Sequence, residues 1–180
     1  VGMRVPVVGA GAVGLWITQA ARLAGAASVF VSEQLPGRLQ VAERWADHVI
    51  DINAADPVAA VHDVTGGRGV DIAIEAAWSD AAAIAQATDA LRPGGRLVVV
   101  GISDDDRLTF AHSTLRRKGL TIAMSRRMKH VYPRTIALAE AGRIDLKAMV
   151  SDRVSHDETP EAFDKLLARD PQMVKVIVRP

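Results

Sequence analysis

Short apolar runs alternate with longer segments of helical spacing along the 180-residue chain. The runs are rich in Val, Ile, Ala and Leu, which predicts strands covered by helices on both faces. The segments between them place apolar residues three and four positions apart, which predicts amphipathic helices. The predicted strands are residues 4–8, 28–32, 48–51, 70–75, 96–100 and 120–124, and the predicted helices are residues 12–24, 37–45, 57–64, 80–91 and 131–141.

This alternation of strands and helices predicts an α/β fold with a doubly wound parallel sheet and right-handed crossovers. The sequence Arg92-Pro93-Gly94-Gly95 predicts a turn that ends a helix and starts a strand. Pro6 lies inside the first predicted strand. We expect it to remove one hydrogen-bond donor from the sheet without abolishing the strand.

The pattern changes after about residue 146, where short or alternating apolar stretches predict a strand at 148–155, a helix at 160–168 and a strand at 173–179. These elements have no obvious place in a parallel sheet. We therefore predict one domain over residues 1–147 and a separate C-terminal segment over residues 148–180. We expect this segment to be poorly packed or to be borrowed by a neighbouring molecule.

Composition narrows the classes of partner. The formal net charge is +1 and the chain has no cysteine. Charges of both signs are spread along the sequence, so we expect no basic surface that would bind nucleic acid or a membrane.

The five histidines are scattered, and none has the spacing of a metal site. With neither a signal peptide nor a long apolar run, we predict a cytoplasmic protein, and the absent initiator methionine predicts a fragment of a longer one.

Three glycines, Gly9, Gly11 and Gly14, stand directly after the first predicted strand and open a predicted helix. In this context the first glycine permits a tight turn. The second lets a pyrophosphate approach the backbone, and the third lets the helix pack closely on the strand. The free N–H groups and the positive end of the helix dipole then face the phosphates. This pattern indicates a dinucleotide-binding Rossmann fold.

Glu33 directly follows the second predicted strand, 19 residues beyond Gly14. A carboxylate at this position accepts hydrogen bonds from both hydroxyls of the adenosine ribose. A 2'-phosphate would meet a like charge there, so the sequence predicts NAD rather than NADP as the cofactor.

These motifs resemble the coenzyme domain of the zinc-type, medium-chain alcohol dehydrogenase family. The resemblance covers essentially the whole chain. It rests on residues 7–15, 38–39, 46–51, 69–76 and 91–101. Later blocks, at residues 132–134, 141–146, 162–163 and 174–176, are most similar to the branch that contains the polyol (sorbitol, xylitol) and threonine dehydrogenases.

The resemblance implies further cofactor contacts. Arg38 would lie beside Glu33 at the ribose, and Val13 would back the nicotinamide ring. Trp78 stands where the family usually has glycine near the cofactor. Residues 125–127, which include Arg126, would close the far side of the pocket. The full set of predicted cofactor-binding residues is Gly9, Gly11, Ala12, Val13, Gly14, Glu33, Arg38, Ala76, Val100, Gly101, Ile102, Ser125 and Arg127.

The resemblance also implies a function. The chain would be the NAD-binding portion of a zinc-dependent alcohol or polyol dehydrogenase, which transfers hydride between a secondary alcohol and NAD. The zinc would be bound by a catalytic domain that precedes Val1, so this chain would bind no zinc, carry no catalytic residue and be inactive alone. Its coenzyme domains would pair through the edge strand at residues 120–124 into a homodimer or homotetramer. Two alternatives stay open: a non-catalytic module that senses NAD(H), and an S-adenosylmethionine-dependent methyltransferase.

Overall fold

The computed structural model describes residues 1–78, 81–105, 107–127 and 130–180. Within these residues six strands form one parallel sheet: β1 (Arg4–Val8), β2 (Ser28–Glu33), β3 (His48–Asp51), β4 (Val70–Glu75), β5 (Leu91–Val99) and β6 (Thr121–Met124). Their order across the sheet is β3-β2-β1-β4-β5-β6, which confirms the predicted doubly wound parallel fold. The strand order reverses between β1 and β4, which is the position of the ligand-binding crevice in doubly wound sheets, at the carboxyl ends of the strands.

Six helices connect or follow these strands: α1 (Ala12–Leu23), α2 (Pro36–Ala42), α3 (Pro57–Thr65), α4 (Ala81–Ala90), α5 (His112–Lys118) and α6 (Tyr132–Glu140). All but α5 were predicted, although Asp80, the predicted first residue of α4, lies outside the described residues. The sequence gives no helical signal for α5, because Leu115 is its only apolar residue. No helix in the described part of the chain is long and apolar enough to cross a membrane.

The core lies on both faces of the sheet, as the apolar strands predict. Neighbouring residues of one strand point to opposite faces, so Val7 packs in one apolar cluster and Val8 in the other. Leu15 of α1 is fully buried in the first cluster. Phe30 of β2 is almost completely buried in the second, where α3 and α4 also contribute.

The strand β5 begins at Leu91, five residues before the predicted start. Its first residue is paired with Val70 and its sixth, Arg96, with Ile72, so the segment between them is longer than the facing part of β4. Gly94 adopts a positive φ of 71° within this segment. The predicted turn at residues 92–95 is therefore present as an irregularity inside β5.

Pro6 lies in β1 at the centre of the sheet. The Gly9 N–H donates to the Ser32 carbonyl of β2, whereas the Arg4 N–H donates to the Asp71 carboxylate of β4. Because N–H groups alternate in direction along a strand, the donor that Pro6 lacks would face β4. On that side β1 pairs with β4 only at its last two residues. Pro6 precedes this paired part, so the missing donor falls where β1 and β4 form no backbone ladder.

The C-terminal segment forms a short 3-10 turn (Lys147–Met149), β7 (Val150–Ser155), α7 (Thr159–Leu167) and β8 (Lys175–Arg179). Its two strands pair with each other in a separate parallel sheet, so the prediction that they lie outside the main sheet is confirmed. The prediction of poor packing is wrong at Met149 and Val174, because both side chains are buried in the core cluster beside α1 and α2. Elsewhere in the segment, α7 and β8 leave apolar side chains in solvent, with Phe163 61%, Leu167 80% and Val178 40% exposed.

Candidate cofactor-binding site

The loop between β1 and α1 makes a tight turn that depends on two of the predicted glycines. Gly9 has a φ of 93°, a conformation that glycine adopts without strain. A Cβ on Gly14 would lie 1.9 Å from the Gly9 carbonyl oxygen. The helix can therefore start this close to the strand only because neither position carries a side chain.

Gly11 caps the amino end of α1 and faces open space. Its backbone is extended and no side chain caps the helix. A Cβ on Gly11 would have the Arg38 Nη1 atom, at 3.9 Å, as its nearest neighbour. The structure describes the whole first turn of α1, and this turn carries no acidic side chain. In it, Ala12 is half-buried and Val13 is 48% exposed. The N–H groups at this helix end can therefore receive an anion.

Glu33 is buried at the end of β2, with its side chain 6% exposed. Its Oε2 accepts the Ala10 N–H at 2.9 Å, and its Oε1 accepts the N–H groups of Gln34 and Leu35 at 2.8 and 3.2 Å. The Arg38 Nη1 lies 3.7 Å from Oε2. The carboxylate thus braces the glycine loop and the turn after β2, which the sequence did not predict.

Arg38 is held from its other side by the C-terminal segment. Its Nε donates to the Met173 carbonyl oxygen at 3.2 Å. One residue earlier, the Gly37 N–H donates to the Pro171 carbonyl at 2.9 Å, and a Cβ on Gly37 would lie only 2.7 Å from that oxygen. Residues 171–173 are therefore seated on α2, and they fix the guanidinium group between Glu33 and the C-terminal segment.

Glu75 ends β4 and is completely buried. Its Oε1 accepts the Ala77 N–H at 2.7 Å, and its Oε2 accepts the Gly101 N–H at 3.2 Å. Its backbone carbonyl accepts the Val100 N–H at 2.8 Å. The Ala76 N–H donates to the Val8 carbonyl oxygen at the end of β1, at 2.9 Å. One residue thus joins the loops that follow β4 and β5.

The same two loops are joined again further from the sheet. The Trp78 Nε1–H donates to the Asp104 carboxylate at 2.8 Å. The indole is 62% exposed and Ile102, in the second loop, is 75% exposed. The tryptophan that replaces the expected glycine therefore lies at the surface and bridges the β4 and β5 loops.

The remaining predicted residues follow β6. The Ser125 N–H donates to the Val99 carbonyl at 2.8 Å, which keeps Ser125 beside the end of β5. Arg126 and Arg127 are exposed, and no hydrogen bond or ion pair within the described ranges joins either to the glycine loop. The structure thus brings the glycines, Glu33 and Arg38 together, with residues 76, 100–102 and 125 along the same sheet edge.

Two other kinds of site can be compared with this crevice. Among the described residues, no group of three or more His, Asp or Glu side chains could hold a metal ion, so they offer no ligand set for the zinc that the resemblance implies. An apolar groove of about 410 Å³ lies between α1 and the sheet. Its lining side chains are all apolar, so no side chain there can hydrogen-bond to a dinucleotide. The lining residues are Val1, Met3, Val5, Ile17, Ala20, Ala21, Ala24, Ala26, Ile72, Ile74, Val98 and Val100.

Sequence reasoning missed two parts of the site. Glu75 had a signal, because an acidic residue closes an otherwise largely apolar strand at the edge where ligands bind. The hydrogen bond from Arg38 to the Met173 carbonyl had no sequence signal, because it joins a side chain to a backbone group 135 positions away.

Comparison with known proteins places this geometry in a family. The family model of the zinc-binding dehydrogenases matches residues 12–141. Sorbitol dehydrogenase of Bacillus subtilis is 31% identical over 180 residues, which cover 99% of this chain and 51% of the relative. The chain therefore spans about half the length of this curated relative.

Solved structures agree with the fold. Alcohol dehydrogenase TADH from Thermus sp. ATN1 superposes with a TM-score of 0.87 at 28% identity, covering 99% of this chain and 51% of that one. A zinc-binding dehydrogenase from Sinorhizobium meliloti 1021, solved with bound NADP, gives a TM-score of 0.86 at 30% identity and covers 99% and 53%. The glycine loop, the parallel sheet and the family match together show that this chain belongs to the zinc-binding dehydrogenase family.

Proposed function

We propose that this chain binds NAD(H) in the crevice between β1 and β4, as the coenzyme-binding part of a zinc-dependent alcohol or polyol dehydrogenase. The carrying observation is the open face of Gly11 at the amino end of α1, with the Arg38 guanidinium 3.9 Å from its Cβ position. An anionic pyrophosphate at this point would meet helix N–H groups and an arginine together.

The ribose of the adenosine half would bind beside Glu33. Each carboxylate oxygen has two acceptor positions. Oε1 uses both on Gln34 and Leu35, whereas Oε2 accepts a single backbone N–H, from Ala10. Oε2 therefore has a position for one ribose hydroxyl, with Arg38 next to it. This is one hydroxyl fewer than we expected from the sequence.

The nicotinamide half would extend over the loops after β4 and β5. Val13 and Ile102 offer exposed apolar surface there for a planar ring. Bound NAD would accept a hydride at its nicotinamide ring, and bound NADH would donate one. This chain would hold the ring, exclude water from one of its faces and leave the other face to the rest of the enzyme.

The alcohol or polyol substrate is proposed from the relatives, which are named sorbitol and alcohol dehydrogenases. Because the chain spans about half of them, we propose that the zinc ligands and the substrate pocket lie in the remaining half. The exposed side chains of Phe163 and Leu167 support a further contact surface for residues 148–180. Family membership argues against the methyltransferase alternative.

Self-association through β6 is also part of the proposal. This strand lies at the edge of the sheet, and Met124 at its end is 64% exposed. An open edge strand can pair with the same strand of a second copy, which would join two sheets into one. A homodimer or homotetramer is expected in solution.

The choice of cofactor can be tested by fluorescence titration with NADH and NADPH. A 2'-phosphate would compete with Glu33 for the same space and carry a like charge, so NADH should bind about 10-fold tighter or more. Glu33→Gln should weaken NADH binding and narrow the difference between the two cofactors. Glu43→Gln, an equal change of charge at an exposed position just after α2, is the matched control and should change neither.

Two results would contradict this proposal. Equal affinity for NADH and NADPH would remove the role of Glu33 in cofactor choice. Binding of S-adenosylmethionine with no response to either nicotinamide cofactor would remove the proposed function itself.

A further inference from the structure

We propose that Glu75 is a positioning residue, which sets the distance between the two loops beneath the nicotinamide half of the cofactor. The inference rests on the proposed function, because the cofactor gives the two loops their role. Within the described residues, the Glu75 carboxyl group accepts the backbone N–H groups of Ala77 and Gly101.

The order of the strands assigns the two halves of a dinucleotide to opposite sides of β1. Glu33 ends β2, which flanks β1 on one side, while β4 and β5 lie on the other. With the pyrophosphate at the start of α1, one nucleotide extends toward β2 and the other over the β4 and β5 loops. Glu75 ends β4 and therefore lies on the side of the second half.

The Glu75 carboxyl group reaches both of those loops from inside the sheet. It accepts the Ala77 N–H with one oxygen and the Gly101 N–H with the other, at 2.7 and 3.2 Å. The Ala77 backbone in turn lies against the glycine turn, since its N would be 3.0 Å from a Cβ on Gly9. The Glu75 side chain therefore connects the loops that follow β4 and β5, and the first of these loops also packs against the glycine turn.

The contact between Trp78 and Asp104 joins the same two loops a second time. It joins them at the surface, while Glu75 joins them at the sheet. Two separate cross-links hold the loops in a fixed spacing, which suits a ligand bound across both. Positioning of this kind acts on affinity through the geometry of the loops rather than by direct contact.

Glu75→Gln tests the inference because an amide cannot accept with both ends. Its NH₂ group would face one of the two N–H donors, and that loop would lose its hydrogen bond to the side chain while backbone hydrogen bonds remain. We expect NADH to bind about 10-fold more weakly, whereas AMP, which fills only the adenosine half, should bind within about 2-fold of wild type. Equal losses for NADH and AMP, or no loss of NADH binding, would overturn the inference.

Asp71→Asn is the matched control. Asp71 is a carboxylate on the same strand that also accepts a backbone N–H, from Arg4 at 2.9 Å, but it lies at the opposite end of the sheet. This variant should lose stability and keep both affinities. Loss of NADH binding in Asp71→Asn would show that stability alone explains the Glu75 result.

Amide hydrogen exchange without cofactor separates this inference from the proposed function. In Glu75→Gln, residues 76–78 and 100–102 should both exchange faster, while in Asp71→Asn they should exchange as in wild type. Unchanged exchange would overturn the positioning role even if the wild type binds NADH. If Glu75→Gln does not fold, Asp104→Ala removes the outer cross-link alone and should still speed exchange at Trp78; unchanged exchange there would equally contradict a coupled pair of loops.

Discussion

Replacement of Gly14 by alanine should destabilise the protein through one backbone contact. The new Cβ would lie 1.9 Å from the Gly9 carbonyl oxygen, whereas real Cβ atoms stay beyond 3.0 Å. Either α1 or the loop must therefore move by about 1 Å, and overpacking of this kind costs about 1–3 kcal/mol. The contact is with backbone, so we take the upper end. Alanine recovers about 1 kcal/mol of helix propensity, which leaves a net loss of about 2 kcal/mol.

The assay is urea denaturation of wild type and variant, together with titration by NADH. Gly11→Ala is the matched control, since its Cβ would meet nothing closer than 3.9 Å. Its stability should fall by less than about 1 kcal/mol, the cost of alanine at a helix N-cap. Its affinity for NADH should fall by about 10-fold or more, because the methyl group occupies the approach of the pyrophosphate.

The two variants should therefore separate folding from binding. A Gly14→Ala protein as stable as wild type would show that the loop yields without cost. Gly11→Ala with unchanged NADH affinity would show that the pyrophosphate does not approach this glycine, and it would remove the observation on which the proposed function rests.

Two more predictions concern regions outside the crevice. Burial of Asp71 acts to raise the pKa of its carboxyl, but the Arg4 N–H and the Arg92 guanidinium outweigh it and hold that pKa below its ordinary value. The ionised Asp71 carboxylate therefore stabilises the fold above the unfolded-state pKa, and this stabilisation is lost as pH falls through the folded-state pKa. Asp71→Asn should lower the free energy of unfolding by about 1–2 kcal/mol at pH 7 and by almost nothing at about pH 2. Equal losses in urea denaturation at both pH values would refute this. Gly37→Ala should push the Pro171 carbonyl away from α2, lower the free energy of unfolding by about 1–2 kcal/mol and speed proteolysis of the C-terminal segment. A cleavage rate like that of wild type would contradict the packing of residues 171–173 on α2.

The sequence was sufficient for the features that depend on local pattern. Central strands buried on both faces are largely apolar, and apolar runs of strand length located all six strands of the sheet. The glycine spacing after β1 reports a turn whose constraints act within a few residues, so Gly9 and Gly14 could be interpreted without a structure. The helix α5 was missed because seven residues with one leucine have no apolar periodicity.

Tertiary structure decided how distant segments share one site. Glu33 was predicted to face a ribose, yet folding also turns its carboxylate onto the Ala10 N–H. The Met173 carbonyl lies beside Arg38 in a C-terminal segment that also packs Met149 and Val174 into the core. Such contacts depend on backbone groups, which every residue type carries, so no residue pattern announces them. The sequence by itself therefore determined the fold and the glycine loop, and only packing determined what holds the loop, the acid and the arginine in place.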